Sequence, residues 1–234
     1  MRHIITVVLA IVLLAACQEN SQIVNPDTQF DQVTLEKKNN GKGNNGKDGN
    51  PIIKQTKEMQ ISYSQFLEEL IDENGEPVFD EDGNPVIVYN PDRKVRLATT
   101  YHWKSGSHEG LRYEATIWIY GRCIDWDSKD KQIKGRKDNR YLQFDIEFAP
   151  SKLTADFMPT PFTFASPVEI DLKWKGLAVE DVVAYESGSN FGFIKGNEFE
   201  EPTPFRSIEF NAAEGYIKVF GAEVPHFSRY GFLR

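Results

Sequence analysis

Two stretches of the chain alternate between apolar and polar residues without a fault: Leu142-Gln-Phe144-Asp-Ile146-Glu-Phe148 and Val168-Glu-Ile170-Asp-Leu172-Lys-Trp174. A period of two sends successive side chains to opposite faces of an extended backbone. Each stretch therefore specifies a strand with one apolar and one polar face. An apolar sheet face must be covered, and from residue 86 onward no helical period of useful length is available to cover it. A second sheet is the remaining partner, so the fold class expected is all-β, an antiparallel β-sandwich. Tyr113-Glu-Ala115-Thr-Ile117-Trp-Ile119 alternates too, with Trp118 and Tyr120 making its second face apolar as well. Further strands are expected near 94–102, 182–186, 191–194, 206–210, 215–220 and 228–233.

Upstream the pattern changes. Residues 60–72 suit a short helix, with Ser62 or Ser64 as cap, Glu68 and Glu69 early, and Phe66, Leu67, Leu70 and Ile71 as its apolar stripe. A small repeat follows, Asp72-Glu-Asn-Gly-Glu-Pro-Val-Phe79 against Asp80-Glu-Asp-Gly-Asn-Pro-Val-Ile87, each copy placing a tight turn before a Pro-led extended piece. Asp80, Asp82 and Asn84 have the look of a calcium loop, but the Gly and Glu spacings that an EF-hand loop needs are missing, so ordinary turns are expected. Residues 37–50 contain no apolar side chain and cannot offset the entropy of ordering. Residues 18–51 thus read as a flexible tether, with an r.m.s. span of about 30–35 Å for a coil of that length.

The first sixteen residues have a basic start (Arg2, His3), an apolar run from Ile4 to Leu14 and two small residues, Ala15 and Ala16. This is the layout of a secretory signal peptide, with an apolar run too short to span a bilayer. Leu14-Ala15-Ala16-Cys17 resembles the lipobox of bacterial lipoproteins. That resemblance implies cleavage before Cys17, lipidation of its thiol and a protein held on the membrane by acyl chains. Gln18 is not the Asp that marks inner-membrane retention in enteric bacteria, so the placement expected is the cell envelope, at the outer membrane. The organisation is then signal peptide (1–16), lipidated Cys17 with flexible linker (17–51), helix and turn-rich lead-in (52–91) and β-sandwich (92–234).

The precursor's 27 basic and 35 acidic side chains become 26 and 35 once Arg2 is removed, a mature net charge of −9. That balance argues against nucleic acid and against broad docking on anionic lipid. With Cys17 committed to lipid, Cys123 has no intramolecular partner for a disulfide, and its place at the end of an apolar run reads as a buried, inert thiol.

Residues 140–234 hold a recognisable order of features: Phe148-Ala-Pro-Ser-Lys-Leu153, then Phe162-Thr-Phe-Ala-Ser-Pro-Val168 leading into the strand 168–174 and Lys175-Gly-Leu177, and finally Val224-Pro-His226-Phe227-Ser228-Arg-Tyr230-Gly-Phe232. This order resembles the ZU5-like β-sandwich of bacterial surface lipoproteins and of animal receptor and scaffold proteins. Ala149-Pro-Ser-Lys stands where the family usually has Pro-Pro-Gly-Ala. The resemblance implies a binding or spacer module rather than an enzyme. It also raises self-cleavage between Phe227 and Ser228, the Ser228 hydroxyl attacking the preceding carbonyl with His226 as base. The bland alternative is that Phe227 packs in the core while Ser228 and Tyr230 end a strand.

His102, His108, Glu109, Asp125 and Asp127 fit no zinc spacing and read as solvated loop residues, so no metal and no cofactor are expected. Trp103, Trp118, Trp126 and Trp174 could form a sugar-stacking surface if they share an exposed face. Trp174 is in register with the inward residues of its strand, whereas Trp118 is out of register and points outward. The function expected is a lipid-anchored binding or structural module of the envelope, with an envelope protein or glycan as partner. A carbohydrate-binding surface and a self-cleaving module are the alternatives.

Overall fold

The computed structural model describes residues 54–104, 106–149, 152–196 and 198–233. The stretches read above as signal peptide and linker, and Cys17 with them, lie outside these residues. In chain order the strands are β1 (Gln55–Ser62), β2 (Leu67–Glu69), β3 (Ile87–Tyr89), β4 (Lys94–His102), β5 (Arg112–Tyr120), β6 (Ile133–Lys134), β7 (Tyr141–Phe148), β8 (Thr154–Met158), β9 (Thr163–Lys175), β10 (Asn190–Lys195), β11 (Glu198–Pro202), β12 (Ser207–Asn211), β13 (Tyr216–His226) and β14 (Arg229–Leu233), with one α-helix, α1 (Val179–Gly188), between β9 and β10. A seven-stranded sheet runs β1-β7-β8-β14-β10-β11, with β6 also on β7; a five-stranded sheet runs β12-β13-β9-β5-β4; β2 and β3 form a separate ribbon. All pairings are antiparallel.

The alternation read from the sequence decides which face is inside. Leu142, Phe144, Ile146 and Phe148 of β7, Val168, Ile170, Leu172 and Trp174 of β9, and Tyr113, Ala115, Ile117 and Ile119 of β5 are all buried. The sheets meet over these side chains. Tyr113 of β5 lies against Phe148 of β7 with ring centroids 5.3 Å apart, and Trp174 of β9 meets Phe232 of β14 edge-on at 5.7 Å. This is the expected sandwich, and β4, β10, β12, β13 and β14 occupy the places where strands were expected.

Three local outcomes differ from the sequence reading. The strand expected at 182–186 is instead part of α1. Val182 and Tyr185, three apart on one helical face, pack inward while Val179 and Val183 stay exposed, so the helix has a stripe only two residues wide and its Val-Val pair mimics a strand. Glu180 and Asp181 in its first turn suit the positive end of its dipole. The short helix of 60–72 is a single 3-10 turn, Tyr63–Phe66, with Gln65 Oε1 accepting the Ser62 N–H at 2.8 Å. Only Phe66 of its stripe is buried; Leu67 pairs with Tyr89, and that ladder draws the chain into extended form. Lastly, β1 falls in the stretch read as lead-in, yet it pairs with β7 along its whole length, from Gln55↔Phe148 to Ser62↔Tyr141. As an edge strand it buries only Ile61 fully, which left little apolar alternation to read.

The Asp-Gly repeat builds an arm beyond β2. Val78 N–H bonds to the Leu70 carbonyl, Val86 N–H to that of Val78, and Leu70 N–H to that of Val86, so three rungs close on one another. Asp72 and Asp80 are turn formers, each taking backbone N–H groups two and four residues on, and those bonds hold both carboxyls below the usual range. The Asp80 carboxylate is thus engaged by its own turn, as the loop spacing led one to expect.

The register makes a sharp contrast testable. Leu172→Ala should cost about 2–5 kcal/mol, the range for truncating a buried leucine. Lys173→Ala, facing out one residue away, should change stability by about 0.5 kcal/mol or less. Denaturant unfolding of the two variants checks this; similar losses would contradict the assigned faces.

Candidate functional site

Burying alternate residues of β5 and β9 turns the intervening ones onto the outer face of the five-stranded sheet. On β5 these are Arg112, Glu114, Thr116, Trp118 and Tyr120; on β9 they are Glu169, Asp171, Lys173 and Lys175. The register sets their neighbours. Trp118 lies between Arg96 of β4 and Glu169 of β9, while Glu114 lies between Thr100 of β4 and Lys173 of β9, which in turn faces Lys218 of β13. Trp103, Trp126 and Trp174 are 4%, 5% and 1% exposed and belong to the core, so Trp118 is the tryptophan that this face presents. The sequence register had assigned Trp174 inward and Trp118 outward, and both lie so.

Asp171 fixes the middle of the face. Its Oδ1 accepts the Gly221 N–H at 2.7 Å and its Oδ2 accepts the Trp118 Nε1–H at 3.5 Å, while Arg206 Nη2 lies 3.9 Å away. Gly221 occupies the bulge where β13 loses register with β9, at φ +56°, and a Cβ there would collide with the Arg206 guanidinium. One carboxylate thus pins a bulge and orients an indole. Flexible cations lie over the aromatic rings: Lys94 Nζ is 4.9 Å from the centroids of both Trp118 and Tyr120, and the Arg96 guanidinium is 5.6 Å from that of Trp118.

Two hollows open on the face. A small one of about 60 Å³ lies among Glu114, Thr116, Asp171, Lys173 and Lys218. A wider one of about 230 Å³ at the end of the sheet is bounded by Tyr120, Arg122, Ser166, Pro167, Glu169 and Glu223, with Cys123 at its floor. Cys123 is 1% exposed, and its Sγ sits 3.5 Å from the Pro167 carbonyl and 3.4 Å from Ser166 Oγ. It is a packed thiol.

His226, Phe227 and Ser228 carry the chain from β13 in one sheet to β14 in the other. Phe227 is buried among Phe144, Phe157, Phe162 and Phe164, with centroids 4.8–6.3 Å away. Its N–H bonds to the Phe162 carbonyl, and the Ser228 carbonyl accepts the Phe157 N–H, both at 2.8 Å. The Tyr230 hydroxyl donates to the His226 carbonyl at 2.9 Å and lies 3.3 Å from His226 Nδ1. Burial pushes the Tyr230 phenol up, so it stays a protonated donor near neutral pH. This is the tyrosine-corner arrangement of sandwich folds, a hydroxyl tying its own chain a few residues upstream. Among the described residues no hydrogen bond joins the Ser228 hydroxyl to His226.

His102 ends β4 beside Arg112, whereas Asp125 and Asp127 follow Tyr120 at the opposite end of β5, about 27 Å away along eight residues of strand. His108 and Glu109 sit in the turn before β5. These five do not converge, and no group of three metal-ligating side chains forms among the described residues. Sequence reasoning did not single out Asp171, Lys173 and Lys218, which meet on this face, because polar positions of an alternating strand look like plain solvated surface.

Asp171→Ala should lower stability by about 1–3 kcal/mol, since it leaves the Gly221 N–H without its partner. Asp171→Asn, which keeps the accepting oxygen, should cost less; equal losses by denaturant titration would contradict the role assigned to Asp171. No family model, no curated protein and no solved structure matches the chain.

Proposed function

We propose that this chain is a lipid-anchored protein of the bacterial cell envelope, at the outer membrane, and that its sandwich is a non-catalytic binding module taking carbohydrate on the outer face of the five-stranded sheet. The anchor rests on the signal sequence and on Leu14-Ala15-Ala16-Cys17. The ZU5-like order of features in 140–234 supports a binding rather than a catalytic role. The choice of carbohydrate rests on one observation: Trp118 and Tyr120 stand two residues apart on the outer side of β5. A pyranose ring has an apolar C–H face that stacks on such a ring and a rim of hydroxyls that needs donors and acceptors. Thr116 borders the indole and supplies a hydroxyl, and Glu169, across from Trp118 on β9 and 3.2 Å from Lys94 Nζ, supplies a carboxylate. Lys94, half-exposed on a flexible stem, can swing from the indole and donate to a sugar hydroxyl instead.

Retention of the full chain on a polysaccharide panel tests this. Trp118→Ala should weaken retention about tenfold or more, as truncating a central aromatic anchor does, with the circular dichroism of the folded β-protein kept. Undiminished retention by that variant would refute the assigned face. For the anchor, Cys17→Ser should abolish incorporation of labelled fatty acid and leave an unprocessed or soluble species. Labelled fatty acid still incorporated by the Ser variant would refute lipidation at Cys17.

A further inference from the structure

The arm beyond β2 exposes more apolar surface than its own hydrogen bonds require. Leu70, Ile71, Phe79 and Ile87 all lie on it, four of the seven large apolar side chains that stand exposed among the described residues. The eight-residue repeat places three of them alike. Its backbone rungs join Leu70, Val78 and Val86, and the residues that follow are Ile71, Phe79 and Ile87, which are 48%, 57% and 53% exposed. Ile71 bridges to Pro77 and Phe79 to Pro85 in the same way. None of the three belongs to the core or to the apolar side chains packed against it. The rungs are backbone bonds and the turns are made by Asp72 and Asp80, so the arm's own structure does not need large apolar side chains at these places. Recurrent exposure of this kind marks a surface that another molecule covers.

Charge decides which molecule. Leu67 to Tyr89 hold eight Asp or Glu residues and no Lys, Arg or His. None of these carboxylates makes an ion pair among the described residues, and those of Asp72 and Asp80 are taken up by their turns. They flank the apolar positions: Asp72 follows Ile71, Asp80 follows Phe79, and Glu69 lies directly across from Ile87 in the β2–β3 register. A second copy of this chain, with its formal net charge of −8, or an anionic lipid surface would bring like charge against them. A purely apolar occupant would desolvate carboxylates without pairing them, and a bare polycation would leave the apolar side chains in water. We infer that the arm is a docking surface for a protein segment that carries both Lys or Arg and large apolar side chains. The apolar groups of that segment cover Ile71, Phe79 and Ile87 while its cations pair with Glu69, Glu73 and Glu81 beside them. The arm belongs to the separate β2–β3 ribbon, so the inference depends neither on the carbohydrate reading of the five-stranded sheet nor on the anchor.

Fluorescence anisotropy of labelled synthetic decapeptides titrated with the full chain tests the surface, using alternating Lys–Val, Lys–Ser and Glu–Val sequences. The Lys–Val peptide should bind about tenfold or more tightly than either of the others, since only it meets both demands. Raising salt from about 0.05 M to about 0.5 M should weaken it severalfold. Ile71→Ser with Phe79→Ser and Ile87→Ser should lower its affinity about tenfold or more, with the circular dichroism of the folded protein kept because all three positions are exposed. Glu69→Gln with Glu73→Gln and Glu81→Gln should also weaken it and flatten its salt dependence, a second variant that leaves the apolar side chains in place. Lys–Val binding undiminished in both variants overturns the assignment to the arm. Equal binding of the Lys–Ser peptide overturns it in favour of a purely ionic occupant, and equal binding of the Glu–Val peptide overturns the selection by charge. Self-association of the full chain that the triple Ser variant abolishes overturns it in favour of a second copy. A blue shift in the emission of a Phe79→Trp chain on adding phosphatidylethanolamine–phosphatidylglycerol vesicles, absent in the wild type, overturns it in favour of a lipid surface.

Discussion

Strand β9 carries two obligations at once, and the rest of the molecule follows from them. Val168, Ile170, Leu172 and Trp174 must be buried between β5, β13 and the opposing sheet, each at 1% exposure or less. A strand has a period of two, so Glu169, Asp171 and Lys173 have no choice but to face outward beside the Trp118 column of β5. A slip of one residue would bury three charges and expose four large apolar side chains. The hydrophobic pattern that closes the core therefore also fixes which polar groups meet on the surface, and the outer face is as precisely registered as the inner one.

The strands with clean alternation were legible because burial is one-sided there, and Trp174 and Trp118 could be assigned opposite faces from that alone. What alternation cannot supply is lateral register, the choice of which outward residue sits across from which. Lys173 opposite Lys218 depends on two strands more than forty residues apart and on a bulge at Gly221 that no local pattern announces. Edge strands were hidden for a related reason: β1 rests on the sandwich with one fully buried side chain, so it carries almost no apolar period. The helix α1 failed for lack of length. With two inward residues in ten, its Val182-Val183 pair weighs as much toward a strand as its acidic first turn weighs toward a helix.

The C-terminal His226-Phe227-Ser228 shows how one short motif can be read from two levels. By residue type it offers a base and a nucleophile in order. By position it is a corner between sheets, with Phe227 filling the space among four other phenylalanines and Tyr230 tied to the His226 carbonyl. The same burial that makes Phe227 useful to the core binds its N–H and the Ser228 carbonyl into neighbouring strands. Function, on our proposal, moves instead to the sheet face that the core leaves free. There Asp171 is spent on geometry, holding the bulge and the indole, and flexible lysines and arginines supply the contacts that can change.

Amide chemical-shift mapping of the full chain during titration with oligosaccharides of a polymer that it retains tests the location of binding most directly. Changes concentrated on residues 116–120 of β5, 94–96 of β4 and 169–171 of β9 are the result expected if the outer face is the binding surface. Changes concentrated on the exposed arm from Leu70 to Ile87, or on the seven-stranded sheet, would contradict it.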